Sequence, residues 1–299
     1  MNARWGYSRA LLAYELWNEV DAPGMVWGEG RHYATEAASV RSWHAAMSGF
    51  LESRDPYGHL VTTSFADSRL DPALWASPGM DLTTIHRYTY YNPEYGDVQF
   101  ATVPTLQGII SVRRYEATKP VIVGEFALSP GGDIQRMRDP QGIEFHKQLW
   151  ASVMAKSAAT AMHWTWGSYV HARDLYRHYG PLAAFFDGVD LRGTTPLVVA
   201  DPGAPVHLAG LKTARRAYLW AYDPRWTFAE VEGGYVPPDL RGARIDVELA
   251  SGAYDVQYVD TQTGRALPLV RAESVGGVLA LSLPPCSGDV AIRIEPAWP

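Results

Sequence analysis

Two short apolar segments of this 299-residue chain each carry a glutamate at or near their end. The first ends in the pair Asn18-Glu19, and the second, Val121–Phe126, contains Glu125. Parallel strands of an α/β barrel present catalytic groups at their C-terminal ends, because the strand is rigid and the following loop is open. Two carboxylates that face one cleft can cleave a glycosidic bond. The spacing therefore predicts an acid pair, Glu19 and Glu125, brought together by a sheet.

The elements that must position these glutamates alternate between short apolar strands and amphipathic helices, as βα units do. Strands are predicted near residues 12–18, 59–65, 80–86, 121–125 and 160–166, and helices near 33–53, 105–117, 141–158 and 181–189. The pattern predicts an α/β fold with a partial (β/α)8 TIM-type barrel. Five strands are fewer than the eight of a closed barrel.

The sequence changes character near residue 200. Residues 201–205, Asp-Pro-Gly-Ala-Pro, form a candidate linker, since proline and glycine interrupt both helices and strands. Beyond it, apolar and polar residues alternate over 217–222, 243–249, 254–259, 278–283 and 290–294, which predicts a small antiparallel β-sandwich. We expect a catalytic domain over residues 1–207 and a β-sandwich domain over 208–299.

Other residues that can bind sugar lie at the predicted strand ends in a recognisable order. In chain order these are Asn18-Glu19, the His-x-Tyr of His86 and Tyr88, Glu125, and the two tryptophans Trp164 and Trp166. This order resembles that of clan-A glycoside hydrolases, especially the family 5 cellulases, mannanases and their relatives. The resemblance covers about residues 1–200 as strands four to eight of that barrel. The first three strands, and an arginine near the nucleophile, have no counterpart.

The resemblance implies a retaining hydrolase that uses the two glutamates in different roles. Glu19 would be the acid/base, which must hold a proton near neutrality, and Glu125 the ionised nucleophile. Retention places the two carboxyl groups about 5–5.5 Å apart, against about 6.5–9.5 Å for inversion. Glu15, inside the first strand, is predicted to be a buried and paired carboxylate rather than a catalyst.

Substrate-binding roles follow from the same resemblance. Asn18 would donate to the sugar 2-hydroxyl, and Tyr88 would orient Glu125 with His86 nearby. Trp164 is the first candidate for the stacking platform, and Trp166 is the alternative. Further aromatic residues are candidates for lining the cleft: Trp17, Trp27, Trp75, Tyr90 and Tyr91.

Composition excludes several classes of partner. The net charge is −6 without a basic stripe, which argues against nucleic acid and anionic membranes. Cys286 is the only cysteine, so no internal disulfide and no cysteine-based metal site can form. No apolar run reaches the length of a membrane span or of a signal peptide. We expect a soluble protein, cytoplasmic or secreted if an export signal precedes this sequence, that needs no metal or other cofactor.

The missing strands leave several interpretations open. An incomplete barrel exposes strand edges, and such edges recruit partners. Three interpretations are open: the gene encodes a fragment, two copies form a homo-oligomer that covers the open barrel, or loops after residue 166 fold back. The predicted substrate is a β-linked oligo- or polysaccharide of the glucan, mannan or galactoside type. The alternatives are a catalytically weak or inactive carbohydrate-binding protein and a transglycosylase.

Overall fold

The computed structural model describes residues 2–22, 33–66, 71–89, 102–129, 133–201 and 203–298. The chain forms two compact units. Unit one consists of Met1–Tyr88, Gly108–Ala127 and Ser157–His163, and unit two of Thr89–Gln107, Leu128–Lys156 and Trp164–Pro299. Within the described ranges, none of the helices has the length and apolar character needed to cross a membrane.

Unit one contains a series of short parallel strands. They are β1 (Ala13–Glu15), β2 (Leu60–Thr62), β3 (Ser64–Phe65), β4 (Thr83–Tyr88) and β5 (Val121–Ala127). Strand β1 pairs with β2, while β3 pairs with β4 and β4 with β5, all in parallel. Strands β2 and β3 are separated only by Thr63 and run in the same direction one after the other. Because β4 and β5 pair in parallel, their C-terminal ends lie side by side at one edge of the sheet.

The predicted strand at 160–166 is not a strand in the structure. Its residues make a single parallel bridge, between His163 and Phe126 of β5. Backbone hydrogen bonds extend this contact, since Met162 donates to Val123 and Phe126 donates to Met162. The segment lies alongside β5 as the pattern predicted, but too few residues pair to form a ladder.

Helices α1 (Asn2–Trp5), α2 (Tyr33–Arg54), α3 (Pro72–Ala76) and α4 (Thr102–Ala117) alternate with these strands. Proline at the first position of α3 and Asp71 at its N-cap explain where that helix begins. Asp71 also accepts hydrogen bonds from Tyr33 and Arg41 of α2, both at 2.8 Å. One buried carboxylate thus caps α3 and ties it to α2.

Unit two contains a six-stranded antiparallel sheet in the order β11-β10-β13-β8-β7-β6 and a separate pair, β12-β9. The strands are β6 (Thr195–Val199), β7 (His207–Lys212), β8 (Ala217–Tyr222), β9 (Arg244–Glu248), β10 (Gly252–Val259), β11 (Val270–Ser274), β12 (Val278–Ser282) and β13 (Asp289–Pro296). Apolar residues of both sheets form one core. Strand β6, which lies before the expected boundary at residue 207, belongs to the same sheet.

The helices of unit two are α5 (Asp133–Arg138), α6 (Ile143–Met154), α7 (Tyr179–Phe186) and α8 (Phe228–Glu232), with a π-helix over Trp166–His171 and a 3-10 helix over Leu175–His178. The side chain of Asp139 begins α6 by accepting from the N–H groups of Ile143 at 2.8 Å and Glu144 at 2.9 Å. Burial raises the pKa of Asp139 to about 6, and the charge of Glu144 adds to this.

Candidate active site

An irregularity between β4 and β5 sets the direction of the site residues. Ile85 pairs with Val123, but His86 pairs with Glu125, so Gly124 is one extra residue in β5. Bulges of this kind re-aim side chains near active sites, and glycine often marks them. A side chain at position 124 would not fit, since its Cβ would lie 2.7 Å from Cγ2 of Thr84.

Glu125 receives two side chains from the neighbouring strand. His86 and Tyr88 are two residues apart on β4 and therefore point to the same face. The Tyr88 hydroxyl donates to Oε2 of Glu125 at 2.5 Å. Nδ1 of His86 lies 3.4 Å from the same oxygen.

Glu19 completes the group from the loop after β1. Its Oε1 shares a hydrogen bond of 2.9 Å with Nδ1 of His86. One donor atom from each of Glu19, His86 and Glu125 lies within 4.8 Å of the other two. The two glutamates, far apart in the chain, therefore meet at one imidazole.

The backbone at Glu19 is unusual. Its φ of 49° lies in the left-handed region, which non-glycine residues rarely occupy and which is common at functional sites. Its N–H donates to Oγ of Ser64, on β3, at 3.0 Å. A buried serine of the sheet thus anchors the residue that carries one of the two carboxylates.

Burial and neighbouring charges act on Glu125 in opposite directions. Its residue surface is 8% exposed, and this burial is the main cause that raises its pKa. The hydrogen bond from Tyr88 and the charge of His86 lower the pKa, while the charges of Glu19 and Glu15 raise it. The net effect raises the pKa of Glu125, contrary to the expectation of an ionised nucleophile. Tyr88 and His86 offset only part of the effects of burial and like charge.

The remaining predicted binding residues are distributed more widely. Asn18 is exposed beside Glu19. Trp164 and Trp166 belong to unit two, where 48% and 65% of their surfaces are exposed. Trp166 begins the π-helix, an irregular turn that often marks functional sites.

Two predictions from the sequence are wrong. Trp75 does not line a cleft: it is fully buried, and its indole N–H donates to the carbonyl of Thr63 at 2.9 Å. Glu15 is exposed rather than buried, because it ends β1, which pairs with β2 on one side and, within the described part of the chain, with no second strand. Trp17 is 42% exposed. Trp27, Tyr90 and Tyr91 lie outside the described residues.

Sequence reasoning missed two residues that shape the site. A glycine immediately before a strand-end glutamate was a usable signal for the bulge at Gly124. The sequence around Ser64 does not indicate its role, because that role is a hydrogen bond to the backbone of Glu19, a residue 45 positions away.

The arrangement has the parts that glycosidic cleavage needs. One oxygen of Glu19 and one of Glu125 lie within 4.8 Å of each other, which is compatible with the gap of about 5–5.5 Å between the carboxyl groups of retaining glycosidases. The same carboxylates and His86 offer the oxygen and nitrogen atoms that bind divalent metals.

Comparison with solved structures bears on the fold. A structure described as a glycoside hydrolase matches with a TM-score of 0.56 and 13% identity, over 85% of this chain and 61% of its own. A family 5 glycoside hydrolase from Bacteroides vulgatus ATCC 8482 matches with a TM-score of 0.54 and 11% identity, over 85% of this chain and 58% of its own. This chain shares the fold of glycoside hydrolases.

The resemblance to clan-A, family 5-like glycoside hydrolases is thus confirmed for the fold. A GH30 endoxylanase from Clostridium papyrosolvens C71 also matches, with a TM-score of 0.46 and 12% identity, over 95% of this chain and 65% of its own. The chain spans about three fifths of the length of these glycoside hydrolases. No family model matches the chain, and neither does any curated protein.

Proposed function

We propose that this protein is a retaining glycoside hydrolase that cleaves β-linked glycosides of the glucan, mannan or galactoside type by double displacement. The observation that carries the proposal is the approach of Glu19 and Glu125 to within 4.8 Å around His86. An inverting enzyme needs about 6.5–9.5 Å between its carboxyl groups, to leave room for a water molecule. Oxygens of the two carboxylates within 4.8 Å of each other are compatible with the narrower gap that direct attack by one carboxylate requires.

We assign Glu125 as the nucleophile because Tyr88 donates to its carboxylate. An oxygen of Glu125 attacks the anomeric carbon while Glu19 protonates the leaving oxygen. In the second step Glu19 takes a proton from water, which attacks the anomeric carbon and releases Glu125. Asn18 would bind the sugar 2-hydroxyl, and Trp164 or Trp166 would stack on a sugar ring.

The proposed architecture is a partial TIM-type barrel, corresponding to strands four to eight, followed by a β-sandwich. The parallel course of β1 to β5 supports the first part, and the core common to the two antiparallel sheets supports the second. The sequence predicted domains over residues 1–207 and 208–299. Because β6 (Thr195–Val199) pairs with β7 in the sandwich sheet, we propose that the second domain begins before β6.

We also propose that a second copy of the chain covers the open side of unit one. Leu12 and Leu16 bond to β2 through their backbone, so the backbone polar groups of Ala13 and Glu15 face away from β2. Exposed apolar side chains accompany this edge: Leu12 is 58% and Trp17 42% exposed.

Size-exclusion chromatography with light scattering tests the assembly. We expect a dimer, and we expect Leu12→Lys to dissociate it, since a charge on an edge strand blocks pairing. Leu12 is already exposed, so this variant should fold. A monomer at all concentrations would contradict the proposed dimer.

A panel of chromogenic aryl β-glycosides tests the activity. Wild type should release the aryl group from at least one β-glucoside, mannoside or galactoside, and Glu125→Gln should abolish release. Glu36→Gln, which changes an exposed glutamate of α2, is the matched control and should retain full activity. Activity that survives Glu125→Gln would contradict the proposed nucleophile.

A substrate whose leaving group needs no protonation separates the role of Glu19 as acid from the role of Glu125 as nucleophile. A dinitrophenyl group leaves without protonation, so Glu19→Gln should still form the glycosyl-enzyme from a dinitrophenyl glycoside and hydrolyse it slowly. A burst of dinitrophenol followed by slow turnover is expected in Glu19→Gln and not in Glu125→Gln. The opposite pattern would exchange the two assignments.

A carbohydrate-binding protein without turnover is the second candidate. It is favoured by the burial of Glu125, which raises the pKa of the proposed nucleophile and so disfavours its ionised form. Sugar binding in calorimetry, without cleavage of any glycoside in the panel, would support this candidate over the enzyme.

A further inference from the structure

The side chains of Glu19, His86 and Glu125 have the geometry of a three-ligand metal site. Zinc bound to histidine nitrogen and carboxylate oxygen at about 2.0–2.2 Å separates its tetrahedral donor atoms by about 3.4 Å. Nδ1 of His86 lies 2.9 Å from Oε1 of Glu19 and 3.4 Å from Oε2 of Glu125. An ion can therefore replace the proton between His86 and Glu19 with small movements of the side chains.

The charge of the group also favours a cation. One oxygen of Glu19 and one oxygen of Glu125 lie within 4.8 Å of each other, and two negative charges at this distance repel each other. A divalent ion between the carboxylates would offset that repulsion.

We propose that Glu19, His86 and Glu125 bind one divalent transition-metal ion of the Zn²⁺ type. Imidazole nitrogen suits zinc, copper, iron and nickel, whereas magnesium and calcium prefer oxygen ligands alone. Three protein ligands leave the fourth tetrahedral position for water. The hydrogen bond from Tyr88 orients the ligating carboxylate of Glu125, as outer partners do in zinc sites.

The ion and a sugar substrate exclude each other. Both require the space between the two carboxylates, where the proposed reaction places the anomeric carbon. Bound Zn²⁺ also occupies the lone pairs that nucleophilic attack and proton transfer use. If the proposed function is correct, Zn²⁺ is a competitive inhibitor. The binding itself depends only on the three side chains.

Isothermal titration of the protein with zinc chloride, in a buffer that does not chelate zinc, tests the site. We expect saturable binding of one Zn²⁺ at the site, and loss of that binding in Glu19→Gln and in Glu125→Gln. Glu36→Gln and His171→Gln, which change an exposed glutamate and an exposed histidine, should bind as wild type does. Circular dichroism checks that each variant is folded.

Saturable binding that persists in both site variants would place the ion on other side chains and overturn the proposal. Absence of saturable binding in wild type would overturn it as well. Titration needs no turnover, so its result is independent of the glycoside panel. Zinc binding without hydrolysis would support the metal site and contradict the proposed hydrolase activity. Hydrolysis without zinc binding would support the activity and contradict the metal site.

Discussion

At the scale of single residues, the ionisation of Glu125 depends on two neighbours from one strand. Tyr88 donates to Oε2 at 2.5 Å, and Nδ1 of His86 lies 3.4 Å away. Both lower the pKa of a carboxyl group that burial raises. A nucleophile must be ionised to attack, so these two side chains extend the pH range of the proposed enzyme downward by offsetting part of the effect of burial.

Tyr88→Phe should move the acidic limb of the kcat/KM profile to higher pH. The variant loses the hydrogen bond that lowers the pKa of Glu125, so that pKa rises and ionisation needs a higher pH. A hydrogen bond to a charged group contributes about 1.5–3 kcal/mol, so we expect kcat/KM to fall roughly tenfold or more. A pH–rate profile on an aryl glycoside measures both effects.

Tyr57→Phe is the control for this profile. Tyr57 is 56% exposed on the surface of unit one and has no place in the proposed site. Its profile should match that of wild type. An acidic limb that stays in place in Tyr88→Phe would mean that Tyr88 does not support ionised Glu125.

At the scale of elements, the sequence pattern located the strands better than their register. The apolar run before Glu125 predicted β5, and the alternating run 217–222 predicted β8 with its observed bounds. The slip at Gly124 was not predicted, because it depends on Thr84 and His86 of the neighbouring strand. Strand β6 was missed because it contains Pro196 and lies at a sheet edge, where proline is tolerated.

The same limits apply to the candidate site. Strand-end glutamates can be identified from sequence because apolar runs end visibly, and Glu19 and Glu125 do lie close together. Trp75 could not be placed from its residue type, since tryptophan serves equally in a core and in a sugar platform. The left-handed backbone of Glu19 depends on tertiary contacts that no local pattern records.

Gly124→Ala tests the bulge. The new Cβ would lie 2.7 Å from Cγ2 of Thr84 and 3.2 Å from Nε2 of His86. Overpacking of this kind costs about 1–3 kcal/mol, and displacement of His86 should reduce kcat as well. Urea unfolding and kinetics on an aryl glycoside measure the two losses.

Gly49→Ala is the matched control. A Cβ at this position of α2 would have no neighbour within 4 Å, and alanine is the better helix former by about 1 kcal/mol. We expect a small gain in stability with unchanged kcat. Equal effects of the two substitutions would argue against a close fit at Gly124.

At the scale of the molecule, a buried polar network joins distant segments within unit two. Nε2 of His146, on α6, donates to Asp289 of β13 at 2.7 Å, and its Nδ1 lies 3.2 Å from Nδ1 of His178. Trp220 and Thr261 donate to the same aspartate. His178 is thus held among buried neighbours, and burial is the main cause that lowers its pKa.

His178→Asn should flatten the dependence of stability on pH. Burial, together with the charges of His146 and Arg177, lowers the pKa of His178 to about 4. The unfolded value is near 6.5, so the contribution is complete above that pH and is lost as pH falls toward 4. Urea unfolding should show a smaller loss between pH 7 and pH 5 in the variant than in wild type.

Asp139, whose raised pKa acts in the opposite direction, is present in both proteins and cancels in this difference. His171→Asn, at an exposed histidine, is the control and should leave the wild-type dependence intact. If His178→Asn loses as much stability as wild type over this range, then protonation of His178 does not destabilise the fold.

The boundary of the C-terminal domain can be decided by two fragments, 195–299 and 208–299. The buried members of the core between the two sheets lie between Leu208 and Ile294, so both fragments contain that core. Both lose the contacts of α6 with Trp220 and Asp289 equally, so the difference between them reports on β6. Only the longer one contains β6, which pairs with β7 over five residues and brings Leu197 onto that core. We expect the longer fragment to be more stable by about 2 kcal/mol in urea unfolding.

The shorter fragment exposes β7 as a new edge and should self-associate in light scattering. Equal stability and a monomeric short fragment would instead support a domain that starts at residue 208, with β6 as part of the linker.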